Sequence, residues 1–259
     1  MNKKIKKILN KKNKSKIICL TAYSKNIASI LDKHCDLVLV GDSLGSVLYN
    51  YKSTKEVTLK KMIDHSKSVR FGVRKSLMVV DMPYNTYRNP KEAIKNAKLV
   101  IKKTKCDAVK LEGGKKIISV VKSLVKSKIP VMGHLGILPQ TEKKFTFKGK
   151  KLSERNRILK DAQLLEKAGI FSVVLECVET KLSKRITETL KIPTIGIGSS
   201  VFCDGQVLVT DDLIGLSESR FRFIKKYLNT SKLINSAVKS FKSEVSKKKF
   251  PKTKHSFKY

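Results

Sequence analysis

The sequence predicts an α/β chain folded as a (β/α)8 barrel, and three observations carry that expectation. Short apolar runs rich in Val, Ile and Leu recur eight times along 259 residues, as parallel strands covered on both faces do. Helix-forming stretches separate almost all of them, giving an alternating βα order. The turn after the first run, TAYSKNIAS, holds no glycine, which argues against a doubly wound sheet with a phosphate-binding loop there. No internal repeat and no Pro- or Ser-rich linker interrupts the chain. A single domain over 1–259 is therefore expected, with a basic N-terminal helix at about 1–16 and a basic tail at about 246–259.

Taken in order, residues 1–16 place Ile5, Ile8 and Leu9 on one side of a lysine-rich helix. That apolar face is too small for a membrane anchor, so the helix is expected to pack under the domain. The expected strands are 17–23 (IICLTAY), 36–43 (DLVLVGDS), 76–83 (SLMVVDMP), 108–114 (AVKLEGG), 130–138 (PVMGHLGIL), 172–178 (SVVLECV), 193–199 (PTIGIGS) and 207–216 (VLVTDDLIGL). Helices are expected over 24–33, 59–71, 90–104, 115–126, 153–168 and 181–190. Asn89 before Pro90 is a cap followed by proline at the first helical position, and Gly169 follows the last turn of its helix. Only the link between the seventh and eighth strands is too short for a helix, and 220–245 leaves room for one or two more.

Composition narrows the function. Lys and Arg total 57 against 21 acids, a net charge of +36, yet only eight of the cations are arginine and the lysines are spread along the whole chain. Nucleic-acid recognition draws on arginine forks and a localised basic footprint, so no specific nucleic-acid partner is expected. The five cysteines are never spaced C-x-x-C and sit mostly in apolar runs, which reads as buried thiols in a reducing compartment. No apolar run reaches the 18 or so residues needed to span a bilayer and no secretory signal is recognisable; the expected location is the cytoplasm.

The ends of the expected strands are polar where a parallel barrel carries its chemistry. They bear Asp42 and Ser43, Asp81, Lys110 and Glu112, His134, and Glu176. Oxygen ligands without Cys or His companions suit a hard divalent cation, and Mg2+ takes one or two carboxylates and leaves other positions to water and substrate. Asp42 and Asp81 are the expected ligands, with Glu112 behind them or bridged by water. A 2-oxo acid could chelate such an ion and be stabilised as an enolate. Lys110 would place positive charge near the developing oxyanion, Glu176 is the candidate general base, and His134, between glycines that let backbone approach a ligand, could donate to substrate.

These residues lie in segments that resemble the ketopantoate hydroxymethyltransferase family: VGDSLG at 40–45, KLEGG at 110–114, GHLGILPQ at 133–140, VLECV at 174–178, KRITE at 184–188, IPTIGIG at 192–198, DGQ at 204–206 and the ending HSFKY. The resemblance runs in order over about 15–257. It implies a barrel of the phosphoenolpyruvate/pyruvate type and one Mg2+ per subunit. It also implies transfer of a hydroxymethyl group from 5,10-methylenetetrahydrofolate to 3-methyl-2-oxobutanoate, the first step of pantothenate biosynthesis, and a homo-oligomer that is a decamer in the family. By the same resemblance Asp42, Asp81 and Glu112 match metal positions, Ser43, Lys110 and His134 match substrate contacts, and Glu176 matches the proton acceptor. The chain departs from the family in a shorter segment at 141–151 (TEKKFTFKGKK), in GIGSS at 196–200 where the family has GIGAG, and in its lysine excess. A lyase or mutase acting on another 2-oxo acid and a basic binding protein are the competing expectations.

Overall fold

The computed structural model describes residues 2–142 and 146–257. The chain forms two compact units, Met1–Val209 and Thr210–Tyr259, which are described one at a time.

The first unit opens with α1 (Lys3–Leu9), followed by β1 (Ile17–Thr21), α2 (Lys25–Leu31), β2 (Leu37–Val40), α3 (Leu44–Tyr49) and α4 (Leu59–Gly72). Next come β3 (Leu77–Asp81), α5 (Pro90–Thr104), β4 (Ala108–Glu112), α6 (Ile118–Lys126), β5 (Val131–Gly136) and α7 (Leu152–Lys167). The unit ends with β6 (Ser172–Glu176), α8 (Thr180–Thr189), β7 (Thr194–Ile197) and β8 (Gly205–Leu208). The eight strands are parallel and close into a barrel in sequence order, with Ile17 of β1 in register with Gly205 of β8. The (β/α)8 fold expected from the sequence is thus the observed one. Capping follows the local chemistry: the Asn89 side chain accepts the Glu92 N–H ahead of Pro90, and the Glu179 carboxylate accepts the Lys181 and Leu182 N–H groups at the start of α8.

Each strand splits its side chains between two apolar compartments. Leu37, Leu39, Leu77, Val79, Ala108, Met132, Val174 and Ile195 pack together in the barrel interior, whereas Val38, Val40, Met78, Val80, Val109 and Leu111 pack outward with the helices. This period of two decides which later residues of each strand face the mouth.

The N-terminal helix is shorter than expected, seven residues rather than about sixteen, and it packs beneath the barrel as anticipated. Ile5 and Ile8 are buried with the inward residues of the strands, each contributing about 1.5–3 kcal/mol of apolar burial. The residues after the helix turn back so that lysines meet acids lying just before the strands. Lys11 Nζ is 2.6 Å from Asp36 and Lys12 Nζ is 2.8 Å from Asp204, while Lys4 Nζ donates to the Ser76 carbonyl at 2.8 Å. These lysines act as latches on the base of the barrel, where surface solvation alone would have been the simple expectation.

The second unit holds α9 (Thr210–Leu213) and α10 (Thr230–Ser246). The eighth strand was expected to continue to residue 216, but it ends at Leu208, because Thr210, Asp211 and Asp212 open a helical turn with carboxylates in its first positions. Along α10 Leu233, Ile234, Val238, Phe241 and Val245 are all about half exposed and fall at helical spacing. Among the described residues no helix is long and apolar enough to cross a membrane.

Asp32, at the C-terminus of α2, accepts the backbone N–H groups of Arg74, Lys75 and Ser76 at 2.8–3.1 Å and pins the turn ahead of β3. Partial burial raises its pKa, but those N–H donors outweigh it and hold the carboxyl below the usual carboxylate range. The folded state therefore binds its proton less readily than the unfolded chain, and the stability it contributes is present above a pH of about 4 and lost below it. Asp32→Ala should lower the thermal midpoint at neutral pH, and the gap from wild type should narrow as pH falls from about 5 to about 3 when followed by circular dichroism. A gap that stays constant across that range would show that the carboxylate charge is not what holds the turn.

Candidate active site

The inward parity of the strands carries over into their polar ends. Val79 is followed two residues on by Asp81, Ala108 by Lys110 and then, two further on, Glu112, Met132 by His134, and Val174 by Glu176. Register then makes neighbours of them: Asp81 is paired with Lys110 and Glu112 with His134 on adjacent strands. Asp42 arrives differently, from the turn just after β2. The six charged or ionisable residues singled out in the sequence meet at one end of the barrel, and Ser43 stands at the edge with its hydroxyl 2.8 Å from the Tyr23 hydroxyl.

Distances within the cluster are short. Lys110 Nζ is 3.0 Å from Asp81 Oδ1 and 3.2 Å from His134 Nδ1. His134 Nδ1 is 3.5 Å from Glu112 Oε1, and its Nε2 is 3.3 Å from Glu176 Oε2. The Asp42 backbone N–H donates to Asp81 Oδ2 at 3.1 Å. Asp42, Asp81, Lys110, Glu112 and His134 are each at most 5 % exposed, while the Glu176 side chain is 13 % exposed and lies on the open side.

Burial sets the protonation of these groups. It raises the pKa of Asp42 and Glu112, against the pull of Lys110, and pushes Asp81 up to about 7, with the neighbouring Asp42 charge adding to the rise. Burial alone would lower the Lys110 pKa, but Asp81, Glu112 and Asp42 together raise it, so this lysine stays charged. Burial and then Lys110 lower the pKa of His134, which is neutral. With an ammonium against Nδ1, that nitrogen must accept, and the ring proton is assigned to Nε2, on the side of Glu176. Nε2 lies 3.3 Å from Glu176 Oε2, so its proton faces that carboxylate.

Two neutral residues complete the cluster, and charge-based reading of the sequence passed over both. Gln140 Nε2 donates to Asp42 Oδ2 at 2.8 Å and to the Met82 carbonyl at 3.0 Å, and its backbone N–H donates to Glu112 Oε2 at 3.1 Å. The Tyr87 hydroxyl donates to Gln140 Oε1 at 2.5 Å. The available signal was a glutamine closing GHLGILPQ, fully buried in the structure, since a buried amide demands partners for both donors and its acceptor.

The packing around His134 requires its glycines. A Cβ on Gly136, at φ +101°, would overlap the Glu176 carbonyl oxygen, and one on Gly133 would press on Ile170. The first serine of GIGSS braces the backbone on either side of Glu176, because Ser199 Oγ donates to the Leu175 carbonyl at 2.7 Å and accepts the Val178 N–H at 3.1 Å. Of the divergent segment 141–151, residues 143–145 lie outside the described residues; Lys148 bridges to Val178, its ammonium 2.6 Å from Glu142.

The cluster also bears on metal binding. Among the described residues, no three His, Cys, Asp or Glu side chains converge into a ready cage. Three buried carboxylates face one buried ammonium, however, and Asp81 Oδ1, close to Lys110, has no aligned hydrogen-bond donor. When ionised, the group is short of two positive charges. Asp42 and Asp81 with water suit Mg2+, which needs few protein ligands.

A closed (β/α)8 barrel with a buried acid, base and cation cluster at the C-terminal ends of its strands defines a barrel enzyme acting on a small polar molecule. The family model described as ketopantoate hydroxymethyltransferase matches residues 2–253. A 3-methyl-2-oxobutanoate hydroxymethyltransferase of Pelagibacter ubique is 68 % identical over 257 residues, 99 % of this chain and 100 % of that protein. One from Chelativorans is 45 % identical over 96 % of this chain and 90 % of its own length. The chain belongs to the ketopantoate hydroxymethyltransferase family. Among solved structures, phosphoenolpyruvate phosphomutase from Streptomyces platensis aligns with TM-score 0.63 at 10 % identity over 94 % of this chain and 87 % of that one. A phosphonopyruvate hydrolase complex with oxalate and Mg2+ aligns with TM-score 0.60 at 8 % identity over 97 % and 93 %. At such identities these two share the fold.

The raised pKa of Asp81 yields a stability prediction. The folded protein holds a proton there that the unfolded chain releases at lower pH, so stability without metal is lost as pH rises from about 4 through about 7. The thermal midpoint of chelator-treated protein should fall between about pH 5 and about pH 8, and millimolar Mg2+ should raise it more at pH 8 than at pH 5. Equal Mg2+ stabilisation at both values would remove Asp81 from the metal assignment.

Proposed function

We propose that this chain catalyses hydroxymethyl transfer from 5,10-methylenetetrahydrofolate to 3-methyl-2-oxobutanoate, giving 2-dehydropantoate and tetrahydrofolate, as the first step of pantothenate biosynthesis in the cytoplasm. Water supplies the hydroxyl oxygen. The observation that carries the reading is the 68 % identity over 99 % of the chain to a protein of that name, together with a mouth whose groups suit deprotonation beside a carbonyl.

In this reading Asp42 and Asp81 hold one Mg2+ per subunit, with Glu112 acting through water. The ion, when bound, supplies Lewis acidity toward the keto oxygen of the substrate. Glu176 removes the C3 proton; its carboxylate is the member of the cluster most open to the mouth. Lys110 keeps a fixed positive charge near the oxygen that gains negative charge. The His134 Nε2 proton is oriented to donate to substrate, and Ser43, tethered by Tyr23, contacts the acid at the edge. The new carbon–carbon bond joins C3 to the methylene carbon as one of its two C–N bonds to the folate breaks; water replaces the second, and the C3 proton and one proton of that water end on the two folate nitrogens of tetrahydrofolate. Homo-oligomerisation, a decamer by family resemblance, is supported by the exposed apolar stripe of α10. No specific nucleic acid or membrane partner enters the reading.

The test is exchange of the C3 proton of 3-methyl-2-oxobutanoate in D2O by NMR, with Mg2+ or chelator, followed by product detection with methylenetetrahydrofolate. Exchange that needs Mg2+ and product that needs the folate support the reading. Cleavage of a 2-oxo acid without folate would favour a lyase. Asp42→Ala and Asp81→Ala should each abolish Mg2+-dependent exchange in a folded protein, and unchanged Mg2+ affinity in both would refute the ligand assignment. Glu176→Gln should retain metal and substrate binding while exchange falls by about 10²–10⁴-fold; a wild-type rate would assign the base elsewhere.

A further inference from the structure

Resting on the metal reading above, we infer that Gln140 is a positioning residue for that site, holding Asp42 and Glu112 in place while Tyr87 locks its amide. Gln140 follows β5 and reaches three other strand ends. Its side chain bonds Asp42 after β2 and the Met82 carbonyl after β3, and its backbone N–H bonds Glu112 at the end of β4. The segment carrying it is fixed on both sides: Ile137 N–H donates to the Glu176 carbonyl at 2.9 Å, and Thr141 and Glu142 N–H groups both donate to Leu138 O at 2.9 Å.

The amide orientation follows from its partners. Both N–H donors face acceptors, Asp42 Oδ2 and Met82 O, and the remaining oxygen receives the Tyr87 hydroxyl. A flip would set the amide oxygen against a carboxylate and a carbonyl in a buried site, leaving two acceptors without donors. The Tyr87 hydroxyl has one proton. It lies 2.5 Å from Gln140 Oε1 and 3.4 Å from Glu112 O, so the proton belongs to the shorter contact. Tyr87 thereby reads out and fixes the orientation.

The chemistry of the amide matters as much as its position. An arginine or lysine in this place would orient Asp42 but also neutralise it, competing with a cation for the same carboxylate. A neutral donor restrains one carboxylate oxygen while the side chain keeps its negative charge. Gln140 thus orders the site without weakening its attraction for a divalent ion. Lys110, on the other side, does the opposite and offsets part of the buried charge.

The experiment measures Mn2+ binding by electron paramagnetic resonance and calorimetry in full-length wild type, Gln140→Met, Tyr87→Phe and Asp42→Ala, with thermal midpoints recorded without metal. Gln140→Met, similar in size and without amide donors, is expected to weaken Mn2+ binding about 10- to 100-fold. Tyr87→Phe, which keeps both amide donors and loses only the lock, is expected to weaken it about threefold to tenfold while remaining folded. The Mg2+ concentration for half-maximal proton exchange should move in the same order. Because Tyr87→Phe removes one oxygen, it reads the inference even if Gln140→Met fails to fold. Wild-type Mn2+ affinity in Tyr87→Phe and in any folded Gln140→Met, with affinity lost in Asp42→Ala, would overturn the positioning role alone. Wild-type affinity in Asp42→Ala would overturn the metal assignment and this inference with it.

Discussion

The C-terminal mouth of this barrel is organised by a shortage of positive charge. Asp42, Asp81 and Glu112 are buried together against a single ammonium, that of Lys110. Taking carboxylates out of water is costly unless they are paired, protonated or bound to a cation. Here one pairing is built in and the rest is left open, so the carboxyl groups hold protons more readily than usual. A divalent ion would relieve that imbalance.

The base of the barrel solves the opposite problem with the same residue types. Asp36, Asp107 and Asp204 each stand one residue before a strand, and each is within reach of an N-terminal lysine: Lys11, Lys4 and Lys12. There, charges are paired by the chain itself and serve to hold α1 under the interior. Scarce acids are thus divided between a satisfied end and an unsatisfied one. The proposed function belongs with the unsatisfied end, since a fully paired carboxylate has little left to offer a ligand.

What the sequence revealed and what it hid follow from one rule. Asp81, Lys110, Glu112, His134 and Glu176 were legible because each interrupts an apolar run whose alternation had already set the inward face. Asp42 was legible because it closes the apolar run LVLVGD, although the strand itself ends at Val40. Gln140 and Tyr87 were not, because a neutral amide after a proline looks like any turn, and the bonds that give it meaning cross three strands far apart in sequence. The end of β8 was misjudged for a related reason: the apolar residues of VLVTDDLIGL continue past Leu208, but Asp211 and Asp212 are better placed in a helical first turn than in a strand. The latching lysines were hidden by their abundance, since among 57 cations those with a partner at a strand start look the same as those in water.

One chain of contacts ties these themes together. From Asp81 through Lys110 and His134 to Glu176 the separations are 3.0, 3.2 and 3.3 Å. With Lys110 held charged by the carboxylates, His134 Nδ1 is assigned as the acceptor of its ammonium and the ring proton to Nε2, on the Glu176 side. The charge cluster that would hold an ion therefore also orients the donor beside the proposed base. Loss of the Lys110 ammonium would free Nδ1 to take the proton and turn Nε2 into an acceptor facing a carboxylate. Charge balance and hydrogen-bond direction at the two sides of the mouth are in this way a single property of the four residues.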